Sequence, residues 1–417
     1  MVNDHIIYQP IVLRRRLSNK RYMTNPKIQK PKNPKNQTPY PIKRIGIIGG
    51  GQLAKMSILA AKNMGFFVTV LDSTPDCPAA QIADQQIIGS LYDPEKITAL
   101  ADVSDVLTYD IEHIDIQTLN RLHHDGCTIY PQPAVLEIIQ DKFKQKQILA
   151  DKCIPVPHFE AVEKPASLAK MGFPIVQKAR HGGYDGKGVM VLKSQADLAF
   201  ALKAPSMIEE WIDFTKELAI IIARKPDGEM ACYPVVEMVF DDNTNICDIV
   251  AAPAQIDDAT TEQARQVALD AVEALGGVGI FAVEMFLTRT GEILVNEIAP
   301  RPHNSGHYTI EACMTSQFEQ LIRIISGLPL GGTELLKPAA VMLNLLGEAG
   351  YTGQPVIEGL QEALTIPGLS FHFYDKAITQ PARKMGHITI LDNGLDKAMA
   401  KLQKVKTILK IKGKEKI

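Results

Sequence analysis

The chain has 417 residues, 46% of them hydrophobic, so it is long enough for two or three domains and apolar enough to bury their cores. Its longest strictly apolar run, Leu218 to Ala223, is far shorter than the roughly 20 residues of a membrane-spanning helix. Residues 1–44 carry eleven Lys or Arg and one acidic residue, whereas the remainder carries 34 basic and 46 acidic residues. This acidic body argues against a nucleic-acid-binding surface as the main function, and we expect neither a membrane nor a nucleic-acid partner.

Residues 1–43 contain six prolines, many lysines and no sustained hydrophobic period, which predicts a disordered basic leader. A transit-like or RNA-binding arm is an alternative, and so is an upstream start codon with Met23 as another candidate start. The six cysteines lie far apart without a C-x-x-C pair, and Pro10 breaks the only apolar stretch that could begin a signal peptide. We therefore expect reduced thiols in a cytoplasmic chain.

Residues 44–140 alternate short apolar strands with helices, which predicts a doubly wound parallel sheet. The strand Ile45–Ile48 leads through three glycines into a helix over Gln52–Met64, and the strand Phe66–Asp72 follows. The glycines indicate either a helix N-terminus that binds a phosphate or a βα turn without a ligand. Their spacing does not give the dinucleotide-binding pattern in a clean register, although an acid follows about 20 residues later. Further elements are expected at Val103–Tyr109 and Ile116–His124.

The signals change after about residue 140, where a helix over Asp141–Lys152 precedes β-branched strands and a long helix over Thr260–Leu275. A break at Pro329–Gly332 separates a last block, whose strand-like runs and basic helix are Ala339–Leu346, Ser370–Tyr374, His387–Leu391 and Leu395–Leu409. The sequence thus predicts a leader (1–43), an N-terminal parallel-sheet domain (44–140), a central domain (141–328) and a small β-rich C-terminal domain with a basic tail (329–417).

A second glycine cluster lies between the strand-like runs Ile175–Ala179 and Val189–Leu192, and it reads Gly182, Gly183, Tyr184, Asp185, Gly186, Lys187, Gly188. Because a strand follows it instead of a helix, the cluster predicts the tip of a β-hairpin and not a P-loop. Glycine N–H groups can approach phosphate oxygens closely, and Lys187 and Lys178 would add positive charge. A flexible loop without a ligand is the alternative.

A nucleotide hinge is predicted at Glu209, Glu210, Trp211 and Ile212. The backbone of this short segment can pair with an adenine edge, and Glu217 follows at a distance that suits ribose hydroxyls. The alternative for the two adjacent acids is an exposed, solvated face.

Two strand-like runs, 281–287 and 292–298, meet across residues 290–291. If these two residues form a two-residue hairpin turn, Glu284 and Glu297 lie opposite each other on one face. Two facing carboxylates repel by about 0.2–1 kcal/mol or more. A divalent cation would remove that repulsion, and hard oxygen ligands suit Mg²⁺. One protonated or solvated glutamate is the alternative.

A dense polar run follows Glu297 and indicates a substrate anion site: Arg301, His303, Asn304, Ser305 and His307. The last block adds three basic residues that could hold a ribose phosphate: Lys376, Arg383 and Lys384. Taken alone, the second set would more often be surface charge.

Together these motifs resemble the ATP-grasp ligases and, among them, the 5-(carboxyamino)imidazole ribonucleotide synthases, over roughly residues 45–391. The most specific pieces are Gly49 to Leu53, the hairpin 182–188, the run Asn296 to His307, and Arg383 to His387. Other ATP-grasp enzymes share the glycine hairpin and the metal acids but lack the His-Asn-Ser-Gly-His run at 303–307. The resemblance implies an α/β ATP-grasp fold with a Rossmann-like pre-ATP-grasp domain, a central two-part ATP-binding region and a small C-terminal β-rich domain.

The resemblance also implies an activity, the ATP-dependent carboxylation of 5-aminoimidazole ribonucleotide with bicarbonate in de novo purine biosynthesis. Carboxyphosphate would be the intermediate, which either reacts directly with the amine or releases CO₂ beside it, and ADP and phosphate would be the products. The expected cofactors are ATP and Mg²⁺, with Mn²⁺ as an alternative metal. A cytoplasmic homodimer is expected on the same ground, as is a partner mutase in the pathway, without an implied physical contact.

By the same resemblance, the phosphates of ATP would be held by Lys142, Lys178, Gly183, Tyr184, Asp185, Gly186, Lys187 and Gly188. Adenine would contact Glu209, Glu210, Trp211 and Ile212, and Glu217 would hold the ribose. Glu284 and Glu297 would bind the metal beside Asn296. The expected catalytic residues are Arg301, Tyr184, Asp185 and His303. The ribonucleotide would be bound by Gln52, Leu53, Arg301, His303, Asn304, Ser305, Lys376, Arg383 and Lys384, and the last three would hold its phosphate.

The chain departs from the family pattern at four positions. Phe240 stands where the family usually has a histidine, so a polar contact to the nucleotide is missing there. Asp110 replaces a glutamate in the run Thr108 to His113, and Ala54 and Ala382 replace glycines.

Competing interpretations are another ATP-grasp ligase, such as the formate-dependent glycinamide ribonucleotide transformylase or a biotin carboxylase, an oxidoreductase that uses the glycines at 49–51, and a non-catalytic nucleotide-binding protein.

Overall fold

The computed structural model describes residues 44–162, 168–183, 188–241 and 246–416. The helices are α1 Gln52–Asn63, α2 Pro94–Asp102, α3 Ile116–His124, α4 Pro133–Ile139, α5 Lys142–Asp151, α6 Asp258–Leu275, α7 Thr309–Ala312, α8 Gln317–Ile325, α9 Leu360–Ala363 and α10 Leu395–Ile408. The strands are β1 Arg44–Ile48, β2 Phe67–Asp72, β3 Gln85–Ile88, β4 Val106–Tyr109, β5 Phe159–Val162, β6 Ile175–Ala179, β7 Val189–Leu192, β8 Ser206–Glu210, β9 Phe214–Arg224, β10 Met230–Cys232, β11 Val236–Phe240, β12 Cys247–Ala252, β13 Gly279–Thr288, β14 Ile293–Ala299, β15 Ala339–Leu346, β16 Tyr351–Glu358, β17 Leu369–Phe373, β18 Lys384–Asp392 and β19 Lys410–Lys416.

The N-terminal sheet has the strand order β3-β2-β1-β4, and every pair in it is parallel. Alternating residues of β1 point to opposite faces, because side chains alternate along a strand. Ile47 packs into one apolar cluster with Ile58 of α1, whereas Ile48 packs into another with Leu100 of α2. Helices thus cover both faces, and the predicted doubly wound parallel sheet is confirmed.

A small antiparallel sheet follows, with the order β5-β8-β6-β7. Ile175, Leu192 and Ile208 form its apolar core together with Leu168. Its strands β6 and β7 form the hairpin that the sequence predicts around the second glycine cluster.

A nine-stranded sheet forms the centre of the molecule, with the order β14-β13-β9-β11-β12-β15-β18-β17 and β10 added at β9. The C-terminal strands β15, β17 and β18 continue the central sheet and do not form a sheet of their own. The helix α6 packs on one face of its first half, and α10 packs on its second half. The strands β16 and β19 form a separate antiparallel pair.

The site lies on the face of β9 and β13 that is opposite to the face covered by α6. Ala219 and Ala282 lie on this face in the cluster that contains Leu321 of α8. Glu217 and Glu284 share the face with these alanines, because they lie two residues away along the same strands. The apolar face therefore becomes acidic toward one end. None of the helices in the described part of the chain is long and apolar enough to cross a membrane.

Candidate active site

The strands β13 and β14 form the hairpin that carries both predicted metal ligands. Glu284 lies directly opposite Glu297, as predicted. The turn itself differs from the prediction, because the N–H of Thr288 donates to the carbonyl of Glu292 at 2.9 Å and three residues, 289–291, form the loop. A β-bulge at Asn296 then shifts the register by one residue in the opposite sense. The two departures cancel, which is why the predicted carboxylate pair is nevertheless correct.

The bulge at Asn296 also brings two consecutive side chains of β14 into the site. Successive side chains of a regular strand point to opposite faces, but a bulge re-aims one of them. The Nζ of Lys178 donates to Oδ1 of Asn296 at 2.8 Å, and the Nζ of Lys142 donates to the carboxylate of Glu297. Asn296 and Glu297 thus present adjacent oxygen atoms to two lysines.

The three carboxyl groups on this face influence one another. Burial, together with the nearby carboxylates of Glu297 and Glu217, raises the pKa of Glu284 above its usual range. The Lys142 ammonium lowers the pKa of Glu297, and burial raises the pKa of Glu217 to about 7. A divalent cation would favour the ionised form of each group by supplying the opposite charge.

The donor set fits a Mg²⁺ ion that arrives with a nucleotide. No group of three or more His, Cys, Asp and Glu side chains in the described ranges is arranged to hold a metal by itself. Mg²⁺ is commonly held by one or two carboxylates together with substrate phosphates, and Glu284 and Glu297 provide two facing carboxylates of this kind. In this structure the Lys142 ammonium compensates the charge of Glu297.

The helix α5 supplies two lysines to the site. Asp141 caps its first turn by accepting from backbone N–H groups, which fixes the start of the helix at Lys142. Lys146 follows one turn later on the same side. Its Nζ donates to the carbonyl of Val295 at 2.8 Å, and burial lowers its pKa to about 8. Lys146 was not predicted as a site residue, although its i, i+4 spacing from Lys142 was an available signal.

Glu209 is the counterion of two buried lysines. Its Oε1 lies 3.3 Å from the Nζ of Lys146, and its Oε2 lies 2.7 Å from the Nζ of Lys178. Burial opposes the charge of Glu209, but the two ammonium groups outweigh it and lower its pKa. Its side chain is therefore engaged inside the protein, and the alternative of a solvated acidic face does not apply to it.

The rest of the predicted hinge connects the two antiparallel sheets, because β8 ends at Glu210 and β9 begins at Phe214. Glu210 accepts from the N–H of His158 at 2.8 Å, and Trp211 is half-exposed. Ile212 is partly buried. Phe240 ends β11 and packs at the edge of a large apolar cluster. The adenine contacts stay a prediction for this segment.

The base of the glycine hairpin is well defined. The N–H of Ala179 donates to the carbonyl of Gly188 at 2.8 Å, and Gly182, Gly183 and Gly188 have φ angles of 71°, 84° and 79°. These left-handed conformations suit glycine best. The other predicted residues of the tip, Tyr184, Asp185, Gly186 and Lys187, lie outside the described residues.

Backbone N–H groups of the first glycine cluster donate hydrogen bonds to carboxylates of the same chain. Asp72 accepts from the N–H of Gly50 at 2.8 Å, and Asp110 accepts from the N–H groups of Gly51 and Ala54 at 3.0 and 3.2 Å. A phosphate at these amides would have to displace the two acids, so the phosphate-binding interpretation of the cluster is not favoured. Burial raises the pKa of Asp110 to about 6.

The two residues predicted to bind substrate here begin α1. Leu53 is buried in an apolar cluster with Phe318 and Tyr374, whereas Gln52 is partly exposed. The side chain of Leu53 therefore packs the core, and only its backbone could contact a substrate.

Arg301 is fixed by an acid from the N-terminal domain. Its Nε lies 2.8 Å from Oε1 of Glu112, which follows the carboxyl end of β4, and its Nη1 donates to the carbonyl of Pro302 at 3.2 Å. Burial opposes the charge, but Glu112 outweighs it and raises the pKa of Arg301. Glu112 was quoted in the family motif but was not selected as a site residue.

His303 connects the β13–β14 hairpin to the turn that follows it. Its Nε2 lies 3.3 Å from Oε1 of Glu284, and its Nδ1 lies 2.9 Å from the hydroxyl of Ser305. The amide of Asn304 is engaged by Asn344 of β15, with hydrogen bonds of 2.8 and 2.7 Å in both directions. The predicted residues His303 and Ser305 thus lie together at the acidic end of the sheet, while the side chain of Asn304 points to the C-terminal strands.

The three predicted basic residues lie at the start of β18 and in the segment before it. The Nζ of Lys376 donates to the carbonyl of Lys384 at 2.8 Å, and Arg383 donates to the carbonyl of Ile378 at 2.7 Å. Lys384 is the first residue of β18. Ala382 has a φ of 64°, a left-handed conformation that explains why glycine is usual there.

Three family models match consecutive parts of the chain. They describe a ribonucleotide synthetase preATP-grasp domain at residues 42–140, an ATP-grasp domain at 147–318 and a phosphoribosylaminoimidazole carboxylase C-terminal domain at 340–401. The three matches follow one another in the order that the sequence resemblance implies.

Curated relatives agree with these matches. The chain is 43% identical to the chloroplastic phosphoribosylaminoimidazole carboxylase of Vigna aconitifolia over 84% of its own length, and it spans 64% of the length of that protein. It is 39% identical to the N5-carboxyaminoimidazole ribonucleotide synthase of Synechococcus elongatus, with 88% of this chain and 94% of the relative covered.

Solved structures agree as well. The N5-carboxyaminoimidazole ribonucleotide synthetase of Thermotoga maritima matches with a TM-score of 0.84 and 55% identity, covering 89% of this chain and 100% of the other. The N5-carboxyaminoimidazole synthase of Aspergillus clavatus, solved in complex with ADP and 5-aminoimidazole ribonucleotide, matches with a TM-score of 0.80 and 35% identity, covering 88% and 98%. The chain therefore belongs to the N5-carboxyaminoimidazole ribonucleotide synthase family of ATP-grasp proteins.

Proposed function

We propose that this protein is a ligase that carboxylates the exocyclic amine of 5-aminoimidazole ribonucleotide, with bicarbonate as the carboxyl source and ATP as the phosphoryl donor. A bicarbonate oxygen attacks the γ-phosphorus, the bond to ADP breaks, and carboxyphosphate forms. The amine then forms the C–N bond to the carboxyl carbon, phosphate leaves, and the amine loses one proton. The product belongs to de novo purine biosynthesis.

The observation that carries the proposal is the direct contact between the β13–β14 hairpin and the polar turn after it. His303 lies 3.3 Å from Glu284, so the residues expected to hold bicarbonate begin where the predicted metal ligands end. The relative from Aspergillus clavatus was solved with ADP and 5-aminoimidazole ribonucleotide together, which supports the binding of both ligands by one protein of this family.

Each group of residues has a task in this reaction. Lys142 and Lys178 compensate phosphate charge, and Glu217 holds the ribose of ATP. Arg301 and His303 orient bicarbonate and the amine, and they hold charge and proton during the transfer. Positioned charges of this kind are the main contribution of proteins to phosphoryl transfer. Tyr184 and Asp185 are expected to cover the intermediate and exclude water, which would otherwise hydrolyse it.

Membership of this family also suggests the metal cofactor and the oligomeric state. Glu284 and Glu297 would hold Mg²⁺, which would supply positive charge against the phosphates, and Mn²⁺ has the same ligand preference. We further propose a homodimer in the cytoplasm and a mutase that acts next in the pathway. Because the relative from Vigna aconitifolia is named as chloroplastic, the cellular location of this protein is to be tested directly.

The proposal is tested by ADP release with MgATP and bicarbonate, with and without 5-aminoimidazole ribonucleotide. Ribonucleotide-stimulated release is expected in the wild type and is expected to be lost in Glu297→Gln. Glu292→Gln is the matched control, because this exposed glutamate lies at the turn of the same hairpin. Release that is unchanged by the ribonucleotide would refute the proposal, and stimulation by glycinamide ribonucleotide with formate would assign the competing ligase activity instead.

A further inference from the structure

A row of polar side chains crosses the C-terminal half of the central sheet. Asn344 of β15 lies opposite His387 of β18, and His387 lies opposite His372 of β17. Directly opposite residues of antiparallel strands share a face. The neighbours of Asn344 on this face, Ala340 and Met342, are apolar and buried. On β15 the polar row thus interrupts a hydrophobic surface, whereas on β18 and β17 the next residues on this face, Thr389 and Ser370, are polar as well.

The segment 304–311, which follows the β13–β14 hairpin, places one polar side chain over each member of this row. Asn304, His307 and Glu311 follow one another at helical spacing, three and four residues apart, so they project to one side. We call the three resulting pairs, Asn304–Asn344, His307–His387 and Glu311–His372, the polar zipper.

The outer pairs of the polar zipper are hydrogen-bonded. The two amides of Asn304 and Asn344 bond reciprocally at 2.8 and 2.7 Å, and Nε2 of His372 lies 2.5 Å from Oε1 of Glu311. In the central pair, the two imidazole rings lie 4.8 Å apart between centroids. The ring of His387 also stacks on His372 at 4.4 Å.

The central pair is costly for a purely structural contact. Both histidines are fully buried, and neither ring nitrogen of His307 has a hydrogen-bond partner among the described residues. His387 bonds to the hydroxyl of Tyr374 at 2.9 Å through Nδ1, while its Nε2 is unpartnered within the same residues. Buried polar groups are normally satisfied, and an apolar pair would fill the space without this penalty. The arrangement therefore indicates a task other than packing.

The polar zipper joins the two ends of the proposed ribonucleotide site. His303 and Ser305 flank Asn304 on one side, and Lys384 precedes His387 by three residues on the other. Burial lowers the pKa of His307, and so do the charges of His303 and Lys384. The zipper thus joins the segment that carries the group expected to face the carboxyl transfer to the sheet that carries the group expected to hold the phosphate.

We propose that the polar zipper sets the separation between His303 and Lys384, so that its members Asn344, His387 and His372 are positioning residues for 5-aminoimidazole ribonucleotide. This inference rests on the proposed function. The residues act through the groups that they hold, without touching the nucleotide themselves. ATP is expected to be unaffected, because its proposed ligands lie on α5, β6, β9, on β8 and the segment after it, and on the β6–β7 and β13–β14 hairpins.

The test compares His387→Phe with His387→Gln. Phenylalanine keeps a ring that fills the space but removes the bond to Tyr374, whereas glutamine keeps a polar group at the cost of shape. His387→Phe is expected to raise the KM for the ribonucleotide about tenfold to a hundredfold, since misplacement by ~1 Å can cost about a hundredfold. The KM for ATP should stay within about twofold, and His387→Gln should recover part of the loss.

Ile388→Val is the matched control, because the neighbouring residue on β18 points to the opposite face and packs in the cluster with α10. It should lower stability without changing the KM for the ribonucleotide. If His387→Phe does not fold, Asn344→Leu carries the same prediction, because leucine has a similar shape and cannot pair with Asn304.

The outcomes separate the inference from the proposed function. A wild-type KM for the ribonucleotide in the folded His387→Phe variant would overturn the inference, and so would an equal rise in the KM for ATP. A smaller rise in the KM for the ribonucleotide with His387→Phe than with His387→Gln would assign a packing role and also overturn the inference. Absence of ribonucleotide-stimulated ADP release in the wild type would refute the proposed function, and the inference with it.

Discussion

Glu209 is the residue whose replacement tests the electrostatic account of the site most severely. It is the shared counterion of Lys146 and Lys178, and the side chains of Glu209 and Lys146 are each only 3% exposed. The change Glu209→Gln keeps the size of the side chain but leaves two ammonium groups in the interior without this counterion.

The expected loss follows from the distances. At 3.3 and 2.7 Å, and with an effective dielectric constant of about 20, the gross attraction is about 5–6 kcal/mol for each pair. Much of it offsets the burial of the charges, and removing one partner of a buried ion pair costs about 3–5 kcal/mol. We therefore expect Glu209→Gln to lower the free energy of unfolding by about 3–5 kcal/mol.

Urea unfolding of the wild type, Glu209→Gln, Lys146→Met and the double variant gives the coupling between the two groups. The double variant is expected to recover at least about 1 kcal/mol relative to Glu209→Gln, because one unpaired charge is removed. Glu210→Gln is the matched control, since the neighbouring glutamate is exposed. A loss below about 0.5 kcal/mol in Glu209→Gln, the range of ordinary surface substitutions, would refute this reasoning.

Three further predictions concern a helix cap, a titration and a backbone strain. Asp110→Ala removes the acceptor for the N–H groups of Gly51 and Ala54, and thermal unfolding should show a loss of about 0.5–2 kcal/mol; an unchanged Tm would argue against the cap. Burial holds the pKa of His307 and of His387 well below the usual value, so the unfolded chain binds more protons as the pH falls below about 6.5. Each imidazole should then lower the stability by about 1.4 kcal/mol per pH unit until its folded pKa is reached, whereas the raised pKa values of Glu284 and Glu217 act in the opposite sense. The test is therefore the difference in urea midpoint between the wild type and His307→Leu, and a difference that stays constant between about pH 7 and 5.5 would contradict the burial. Ala382→Gly should raise the Tm, because left-handed backbone costs a non-glycine residue about 1–2 kcal/mol, and a lower Tm would show that the strain is offset elsewhere.

The fold class was predictable because its signals are local. The alternation of apolar strands with helices indicated the parallel N-terminal sheet, and α3 has the predicted bounds Ile116–His124. The predicted strand at Val103 begins instead at Val106, because Val103 caps the helix α2. α2 was not predicted, although Pro94 at its first turn and Asp93 as its cap are the usual signals of a helix start.

The carboxylate pair was predictable for a less secure reason. Hairpin register was inferred from a two-residue turn, whereas the actual loop has three residues and the bulge at Asn296 restores the pairing of Glu284 with Glu297. Bulges leave little trace in a sequence, so the same reasoning would have failed without this one.

Long-range contacts account for what the sequence did not reveal. Glu112 reaches Arg301 from 189 positions away, and Asn304 meets Asn344 only because β15 joins the central sheet. Asp72 at the end of β2 and Asp110 just after β4 both accept from N–H groups of the first glycine cluster. Such pairs depend on strand order, which local patterns do not encode.

The central claim is that bicarbonate, and not water, attacks the γ-phosphate at this site. The most direct measurement follows oxygen from ¹⁸O-labelled bicarbonate into inorganic phosphate by ³¹P NMR, with MgATP and 5-aminoimidazole ribonucleotide present. Carboxyphosphate formation transfers one labelled oxygen to each phosphate released, and Glu297→Gln should abolish the signal. ADP release with unlabelled phosphate would mean that ATP is hydrolysed by water, and it would contradict the account.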